Sequence, residues 1–347
     1  MEIIVPAAGL SLRFPNMRPK YSLFTYSGEL MLKKAIEPFL ENNRITIGIL
    51  KKHNDEYNIK SLIENEIKGN INVVILENET LGPADTVFQI LEKANISDSS
   101  EILIKDCDSF FNFEYSTGNF VCVARLSDQE VINKPSSKSY VISNDQGIIT
   151  KIIEKSVISD KFCVGGYKFE NALLFKTIFQ KLKKLNAELF VSAIIELCLN
   201  ENHIFSEKLV SNYTDVGTVK EWFDYNDKCV VFCDIDGTLI KAQNKHEYNK
   251  IAIPLVENVK TIQKLIKENN QIIFVTARPE SSREFTVKTL ENIGFVNPTL
   301  IMGLYNCKRV LINDFNNANP YPRAIGINIE RNADNLHRHL NIKNSNI

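Results

Sequence analysis

One segment decides the fold of the C-terminal part of the chain: Val230-Val231-Phe232-Cys233-Asp234-Ile235-Asp236-Gly237-Thr238-Leu239. Its apolar start predicts a buried strand, and α/β sheets bind their ligands at the carboxyl ends of the strands. Gly237 allows the backbone to turn back on the two carboxylates that precede it. The segment therefore predicts that Asp234 and Asp236 lie together at a site that handles phosphate.

Two later segments have the same character. Val275-Thr276-Ala277-Arg278-Pro279 ends an apolar run with a hydroxyl group, and Ile312-Asn313-Asp314 ends another with a carboxylate. A lone Asp-x-Asp-Gly segment also occurs in calcium-binding and turn loops. Three such segments in order favour phosphoryl transfer, which needs a nucleophile, an acid and a cation. Together they resemble the haloacid dehalogenase superfamily of phosphatases.

This resemblance implies a role for each polar residue. Asp234 would be the nucleophile, Asp236 the general acid or base, and Thr276 a hydrogen-bond donor to the phosphate. Asp234, the backbone carbonyl of Asp236 and Asp314 would hold Mg²⁺.

Two parts of the family pattern are unusual. The cation falls on Lys308, with Arg309 as its competitor, and neither stands in the usual Gly-Lys-Pro setting. Residues 239–255 form only a short polar segment, so we expect no large cap domain. An open site should accept a bulky substrate or borrow a lid from the other domain or from a second subunit. A homo-oligomer is therefore one expected state.

The length and the pattern of the chain predict two α/β domains, residues 1–226 and 227–347. With 347 residues, the chain exceeds the size at which one hydrophobic core keeps growing. Strand-like and helical runs alternate through both parts. The predicted strands are 45–50, 73–76, 101–105, 120–124, 230–233, 271–275 and 309–313, and the predicted helices are 31–41, 84–94, 254–268 and 281–293.

Composition limits the partners. Charged residues make up 24% and the net charge is −1, which gives no electrostatic reason to bind nucleic acid or an anionic membrane. We expect small phosphorylated molecules instead. The start has no basic leader and no run long enough to insert into a membrane, which favours the cytoplasm. The seven cysteines lack Cys-x-x-Cys or Cys/His spacing, which predicts free thiols.

A turn of small residues, followed by cations, opens the chain. The segment Ala7-Ala8-Gly9-Leu10 follows the first apolar run, and Arg13 and Lys20 lie downstream. Small residues let backbone amides approach a nucleotide, and the cations can neutralise its phosphates. An ordinary strand-to-helix turn with solvated cations would have the same pattern. The pattern resembles the signature of the sugar-phosphate nucleotidyltransferases, which implies a Rossmann-like, glycosyltransferase-A-like fold with a mixed sheet.

The next matching segment concerns the base. Leu81-Gly82-Pro83-Ala84-Asp85-Thr86 resembles the loop and helix start that cover the base in that family, and Glu77 stands where many relatives carry Gln. A carboxylate only accepts hydrogen bonds, so it should favour a base with an amino group on its edge. We therefore expect CTP as the nucleotide, with GTP second, unless Glu77 simply faces solvent.

Carboxylates for a metal follow. Ile104-Lys105-Asp106-Cys107-Asp108 ends an apolar run, and Tyr213-Thr214-Asp215-Val216-Gly217-Thr218 resembles the Asp-x-Gly-Thr element of the family. The resemblance implies that Asp106 and Asp215 bind Mg²⁺, a hard ion that prefers oxygen ligands. Asp108 is either a further ligand, a neighbour of the ligands, or a cap on the strand end.

The acceptor side is less constrained. Glu154-Lys155 and Val164-Gly165-Gly166-Tyr167 resemble the Glu-Lys-Pro and Gly-x-Tyr segments that hold the sugar and its phosphate, with Ser156 in place of the proline. Glu154, Lys155, Gly166 and Tyr167 are therefore the expected acceptor contacts.

The two resemblances cover nearly the whole chain and predict a bifunctional enzyme. One site would transfer a nucleotidyl group to a phosphorylated sugar, polyol or amino alcohol for a bacterial capsule or surface polysaccharide, and the other would hydrolyse a phosphate monoester. In one alternative the phosphatase-like domain serves binding or oligomerisation. In another, the whole chain is a nucleotide sensor without catalysis.

Overall fold

The computed structural model describes residues 1–129, 135–185, 189–244, 246, 248, 250–313 and 324–340. The chain divides into two compact units, Met1–Asp227 and Lys228–Ile347. Within the described residues, no helix is long and apolar enough to cross a membrane.

The first unit is built on a mixed sheet. Strands β1 (Glu2–Ala7), β2 (Arg44–Leu50), β3 (Ile71–Leu76) and β4 (Ile102–Lys105) are parallel to one another. The remaining strands are β5 (Ser109–Asn112), β6 (Asn119–Arg125), β7 (Tyr140–Ser143), β8 (Ile149–Ile153), β9 (Lys161–Phe169), β10 (Phe205–Leu209) and β11 (Ser211–Asp215). The main order is β10-β6-β9-β4-β1-β2-β3, with β9 antiparallel to both of its neighbours, and β5 and β11 form a separate antiparallel pair. The predicted mixed sheet is therefore confirmed.

Helices cover both faces of this sheet. They are α1 (Met31–Ile36), α2 (Lys51–Tyr57), α3 (Ile59–Glu66), α4 (Pro83–Lys93), α5 (Ala172–Lys184), α6 (Val191–Asn200) and α7 (Val219–Asn226). Alternate strand residues point to opposite faces, so Ile4 and Ile104 join one core cluster with α4, α5 and α6 while Val5 and Leu103 join another. Short 3₁₀ helices span Lys20–Ser22, Glu37–Phe39, Leu126–Asp128 and Pro135–Ser137.

The predicted helix 31–41 is shorter than expected. Its α-helical part, α1, ends at Ile36, and Glu37–Phe39 continues as a 3₁₀ helix. Pro38 explains this change because it has no backbone N–H to donate to the carbonyl four residues earlier and its ring clashes with that carbonyl.

The second unit contains a smaller parallel sheet. Its strands are β12 (Val230–Asp234), β13 (Gln271–Val275) and β14 (Thr299–Ile301), in that order across the sheet. Helices α8 (Val256–Lys267) and α9 (Arg283–Asn292) accompany them, with 3₁₀ helices at Glu280–Ser282 and Leu336–Arg338. The described part of residues 241–255 contains no α-helix or strand, in line with the expected lack of a large cap.

The predicted strand 309–313 is wrong. These residues form no strand in the described structure, and the third strand is Thr299–Ile301 instead. Val310 and Ile312 are 72% and 92% exposed, so this apolar run is not buried as a sheet strand would be. The prediction failed because apolarity alone does not show which run finds a pairing partner.

Candidate active sites

The first candidate site has two carboxylates that face each other. Asp108 immediately precedes β5, and Asp215 ends β11, the partner strand of β5. The Gly217 amide donates to Asp215 Oδ1 at 2.9 Å. A Cβ atom placed on Gly217 would lie 2.9 Å from Asp108 Oδ2 and 3.0 Å from Asp215 Oδ1. Both carboxylates therefore border one small space, and two oxygen ligands beside phosphates suit Mg²⁺.

Three cations surround this pair. Lys20 Nζ forms an ion pair with Asp108 Oδ2, and Lys138 Nζ forms one with Asp215 Oδ2. Arg13 Nη2 lies 3.6 Å from Asp108 Oδ2. Burial by itself would raise the pKa of Asp108, but the charge and hydrogen bond of Lys20 outweigh it and hold that pKa below its usual range. Asp108 is therefore ionised at neutral pH.

Asp106 directly follows β4, two residues before Asp108. Its amide donates to the Gly165 carbonyl at 2.8 Å, and a Cβ on Gly165 would lie 2.5 Å from Asp106 Oδ2. Gly165 has a φ of 84°, so both this close approach and its backbone require glycine. Burial, together with the charge of Asp108, raises the pKa of Asp106. The contacts at Gly217 thus place Asp108 next to Asp215, and the role of Asp106 as a metal ligand stays a prediction.

No cluster of three or more acidic, histidine or cysteine side chains suited to a metal is found among the described residues. A two-carboxylate site meets the requirement of Mg²⁺ only when substrate phosphates and water supply the other ligands. That is the situation expected for a nucleotide bound at Asp108 and Asp215.

The opening turn leads directly to Lys20. β1 ends at Ala7, and the buried Ala8 follows. A Cβ on Gly9 would meet no described atom within 4 Å, and the side chain of Leu10 is partly exposed. Further along, the Lys20 amide donates to the hydroxyl of Ser11 at 3.2 Å. Gly9 thus borders open space, and the hydrogen bond to Ser11 fixes the backbone of Lys20.

The predicted base loop lies at the start of α4. Gly82 precedes Pro83 at the helix start, and a Cβ on Gly82 would lie 2.8 Å from the Leu189 carbonyl oxygen. The Leu81 amide donates to Asp85 Oδ2 at 2.9 Å, which shapes the loop. Glu77 directly follows β3, and its side chain is exposed. It is therefore accessible to a ligand.

The predicted acceptor segments behave differently from one another. Glu154 Oε2 accepts hydrogen bonds from Ser139 Oγ and, at 2.6 Å, from Ser192 Oγ, so its carboxylate is held in place. Lys155 Nζ lies 4.3 Å from the centre of the Phe190 ring. In β9, Gly166 and Tyr167 pair with Lys105 and Ile104 of β4, which places them beside the carboxylate turn. The pairing of β9 with β4 therefore brings part of the predicted acceptor segment next to the predicted metal ligands.

Sequence analysis missed Lys138. This residue follows the 3₁₀ helix Pro135–Ser137, where no strand end or glycine turn marks a site. Besides its ion pair with Asp215, Lys138 Nζ donates to the hydroxyl of Tyr213 at 3.2 Å. The Lys155 amide donates to the Lys138 carbonyl at 3.0 Å, so Lys138 contacts both Asp215 and the predicted acceptor segment. Only the folded chain reveals this position.

The second candidate site lies at the end of β12. Asp234 Oδ1 accepts a hydrogen bond from Arg309 Nη2 at 3.1 Å. Burial raises the pKa of Asp234, and Arg309 opposes that shift. Gly237 has a φ of 84°, as the predicted turn requires. The structure thus brings Arg309 to the carboxylate, while no contact among the described residues joins Lys308 to it.

Asp236 is held by a buried arginine. Arg278 Nε donates to Asp236 Oδ2 at 2.8 Å and Nη2 donates to Oδ1 at 2.7 Å. Arg278 is fully buried, and it also donates to Gln243 Oε1 at 2.8 Å. Its Nη1 atom is buried without a hydrogen-bond partner in the described part of the chain. The hydroxyl of Thr276 lies 3.5 Å from Asp236 Oδ2, and Asp314 falls outside the described residues.

Comparison with known families gives a match to the C-terminal unit. Residues 231–320 match the model of a haloacid dehalogenase-like hydrolase family. Among curated proteins, no sequence matches the chain.

Solved structures resemble the rest of the chain. The nucleoside-diphosphate-sugar pyrophosphorylase from Vibrio cholerae is 18% identical, with a TM-score of 0.56 over 65% of this chain and 100% of that one. The inositol-1-phosphate CTP transferase from T. maritima is 18% identical, with a TM-score of 0.52 over 63% of this chain and 90% of that one. These identities establish the fold alone. The N-terminal unit has a nucleotidyltransferase-like fold, and residues 231–320 are haloacid dehalogenase-like.

Proposed function

We propose that the N-terminal unit transfers a nucleotidyl group from a nucleoside triphosphate to a phosphorylated acceptor and releases pyrophosphate. The observation that carries this proposal is the carboxylate pair at Gly217, where Asp108 and Asp215 border one space and each is paired with a lysine. The nucleotidyltransferase-like fold agrees with it.

The chemistry needs no protein nucleophile. An oxygen of the acceptor phosphate attacks the α-phosphorus of the nucleotide, the bond to the β-phosphate oxygen breaks, and pyrophosphate leaves. Mg²⁺ bound by Asp108 and Asp215 would reduce the repulsion between the phosphates. Arg13 and Lys20 would neutralise the triphosphate, and Lys138 would face the acceptor phosphate. The protein therefore acts through charge compensation and alignment.

We further propose CTP as the nucleotide, with GTP second. Glu77 is exposed at the end of β3, where it can accept a hydrogen bond from an amino group of the base. The T. maritima neighbour is itself named a CTP transferase.

For the acceptor, we propose a phosphorylated sugar, polyol or amino alcohol, used to build a bacterial capsule or surface polysaccharide. The carboxylate of Glu154, fixed by two serine hydroxyls, is suited to bind hydroxyl groups of such a molecule. Inositol 1-phosphate, which appears in the name of the T. maritima neighbour, is a polyol phosphate.

A matrix of the four nucleoside triphosphates against pooled sugar, polyol and amino-alcohol phosphates, with pyrophosphate release as the readout, tests this proposal. We expect the greatest release with CTP, and a loss of about 100-fold or more in Asp108→Asn and Asp215→Asn, as for removal of a key electrostatic group. Asp98→Asn is the matched control because Asp98 lies in an exposed ion pair with Lys176. Wild-type protein that released no pyrophosphate with any pair would refute the activity and favour a nucleotide sensor.

We also propose that the C-terminal unit hydrolyses a phosphate monoester. Asp234 would attack the phosphorus, the bond to the leaving oxygen would break, and Asp236, fixed by Arg278, would be the general acid that protonates this oxygen. Water, deprotonated by Asp236 as the general base, would then hydrolyse the aspartyl phosphate, which releases phosphate and restores Asp234. Mg²⁺ held by Asp234, the Asp236 carbonyl and Asp314 would supply charge compensation. Arg309 is placed to balance the charge beside Asp234.

Phosphate release from a panel of phosphorylated sugars, polyols and nucleotides tests the second activity. Asp234→Asn should abolish release, whereas Glu280→Gln, which alters only an exposed pair with Arg283, should not. If no compound in the panel shows release that depends on Asp234, the alternative in which this unit serves binding or oligomerisation is favoured.

A further inference from the structure

A lysine is buried beneath the carboxylate turn of the first site. Lys105 is the last residue of β4 and is completely buried. Its ammonium group makes three hydrogen bonds within the described structure, and all of them go to residues 106–109. Nζ donates to the Asp106 carbonyl at 2.6 Å, to the Ser109 carbonyl at 2.7 Å and to the Ser109 hydroxyl at 3.0 Å.

These hydrogen bonds join the two ends of the turn formed by residues 106–109. The two carbonyls that Lys105 binds lie at the start and the end of residues 106–109, so one ammonium group holds both ends together. Asp108 lies between them. A turn fixed at both ends has little freedom to change the direction of the carboxylate that it carries.

The same network continues to the acceptor segment. The hydroxyl of Ser109, which accepts from Lys105, donates to the Val164 carbonyl at 2.7 Å. The Asp106 amide donates to the neighbouring Gly165 carbonyl at 2.8 Å. The turn is thus attached to the part of β9 that carries the predicted acceptor contacts.

A second buried lysine shows that burial alone does not explain these contacts. Lys168 is also completely buried, but it reaches a carboxylate, with Nζ 3.3 Å from Glu101 Oε1, and the Gly118 carbonyl at 3.1 Å. Lys105 forms no ion pair within 4 Å among the described residues, although burying an ammonium group is unfavourable unless it is well compensated. Its position therefore favours a role in the turn over general stability.

We infer that Lys105 is a positioning residue that sets the direction of the Asp108 carboxylate and couples the metal side of the site to the acceptor side through Ser109. This inference rests on the proposed nucleotidyl transfer. Lys105 contacts neither metal nor substrate in it. Its effect passes through the carbonyls of Asp106 and Ser109 and through the hydroxyl of Ser109.

The test compares full-length Lys105→Met with Lys168→Met, in a background that carries Asp234→Asn so that the second site does not contribute. Mn²⁺ affinity in the presence of inorganic pyrophosphate is measured by water-proton relaxation, with Asp108→Asn defining the signal of the site. Partners of metal ligands typically change metal affinity by about 10- to 100-fold, and we expect a loss in that range for Lys105→Met. Lys168→Met should stay within about twofold of the background, as expected for a residue that touches no ligand.

Kinetics of pyrophosphate release provide a second readout. Lys105→Met should lower kcat and raise the Mg²⁺ concentration for half-maximal activity. Ser109→Ala, which keeps Lys105 but breaks the link to Val164, should mainly raise the KM of the acceptor. Thermal unfolding establishes that the variants are folded at the assay temperature.

The outcomes separate the two proposals. Equal Mn²⁺ affinity in folded Lys105→Met and Lys168→Met would overturn the positioning role, as would no Asp108-dependent Mn²⁺ binding in the background protein. Asp108-dependent binding that Lys105→Met weakens, combined with no pyrophosphate release from the wild type, would support the role in the metal site and reject the proposed transfer reaction.

Discussion

The buried ion pair in the C-terminal unit predicts an unequal response to mutation. Arg278 is fully buried, whereas the side chain of Asp236 is 21% exposed. The pair is joined by two hydrogen bonds of 2.8 and 2.7 Å. We expect Asp236→Ala to destabilise this unit more than Arg278→Met, because only the first change leaves a charge with no access to water.

The magnitudes follow from burial. Removing one partner of a buried ion pair costs about 3–5 kcal/mol, and Asp236→Ala should fall at the upper end, about 4–5 kcal/mol. After Arg278→Met, the Asp236 carboxylate can regain some water. That change also removes Nη1, which is buried without a partner in the described structure and whose burial costs about 1–3 kcal/mol. We therefore expect a loss of about 2–3 kcal/mol for Arg278→Met.

Urea unfolding followed by two signals can locate the effect. The chain has one tryptophan, Trp222, in the N-terminal unit, so its fluorescence reports that unit, while far-UV circular dichroism reports both. With a slope of about 1–3 kcal/mol per molar urea, Arg278→Met should lower the midpoint of the C-terminal transition by about 0.7–3 M. The fluorescence transition should stay in place if the units unfold separately.

Arg283→Met is the control for loss of an arginine, since Arg283 forms an exposed pair with Glu280 and should change stability by less than about 1 kcal/mol. The double variant lacking both Arg278 and Asp236 should be more stable than Asp236→Ala alone. Equal losses of stability for Arg278→Met and Asp236→Ala would contradict this prediction, as would losses below about 1 kcal/mol for both changes, which is the range of an exposed pair.

Three further predictions concern catalysis. Arg309→Ala should lower kcat/KM for phosphate release by about 10-fold or more, as for loss of a charge-compensating group, while Lys308→Ala should change it less than twofold. A larger loss in Lys308→Ala than in Arg309→Ala would identify Lys308 as the cation. Lys138→Met should raise the KM for the acceptor in pyrophosphate release more than Lys155→Met does. The reason is that Lys138 pairs with Asp215, whereas Lys155 lies over the ring of Phe190. Equal effects on KM would argue against a role of Lys138 at the acceptor phosphate. Glu77→Gln should reduce the preference for CTP over UTP in kcat/KM, since an amide can also donate to an acceptor edge, and an unchanged ratio would place the carboxylate outside the base site.

The predicted strands match β2, β3, β4 and β6 in the first unit and β12 and β13 in the second unit, but not β14, the last strand of the second unit. Runs such as β2 (Arg44–Leu50) are long, continuous and apolar, as expected for parallel strands buried on both faces. β14 (Thr299–Ile301) has only three residues and gives no periodic signal. The run 309–313 is apolar yet exposed in the structure. Strand pairing is a long-range property, so local apolarity cannot decide between two such segments.

The residues of the candidate sites also fall into those that the sequence predicted and those that only the fold reveals. Asp108 lies at the end of an apolar run and Asp215 in a segment that resembles the Asp-x-Gly-Thr element, and the structure brings these residues together. Lys138 reaches Asp215 from a polar loop, a contact that no local pattern encodes. Arg278 stands in a segment that the sequence marks, but its pairing with Asp236 depends on complete burial, which follows only from the packing of the whole unit.

Both sites use an Asp-x-Asp turn after a parallel strand, and the partner of the second aspartate distinguishes them. Asp108 is paired with Lys20, whose compact ammonium group on a flexible stem can move to a phosphate when a metal ion takes its place. Asp236 is paired with Arg278, whose planar guanidinium is buried and makes two parallel bonds, so it keeps the carboxylate in one orientation. An exchangeable partner suits the metal-binding role proposed for Asp108. A fixed partner suits a carboxylate that must keep one orientation, as the role proposed for Asp236 requires. The same sequence pattern can thus support two different reactions in one chain, because the cation that folding places beside it differs.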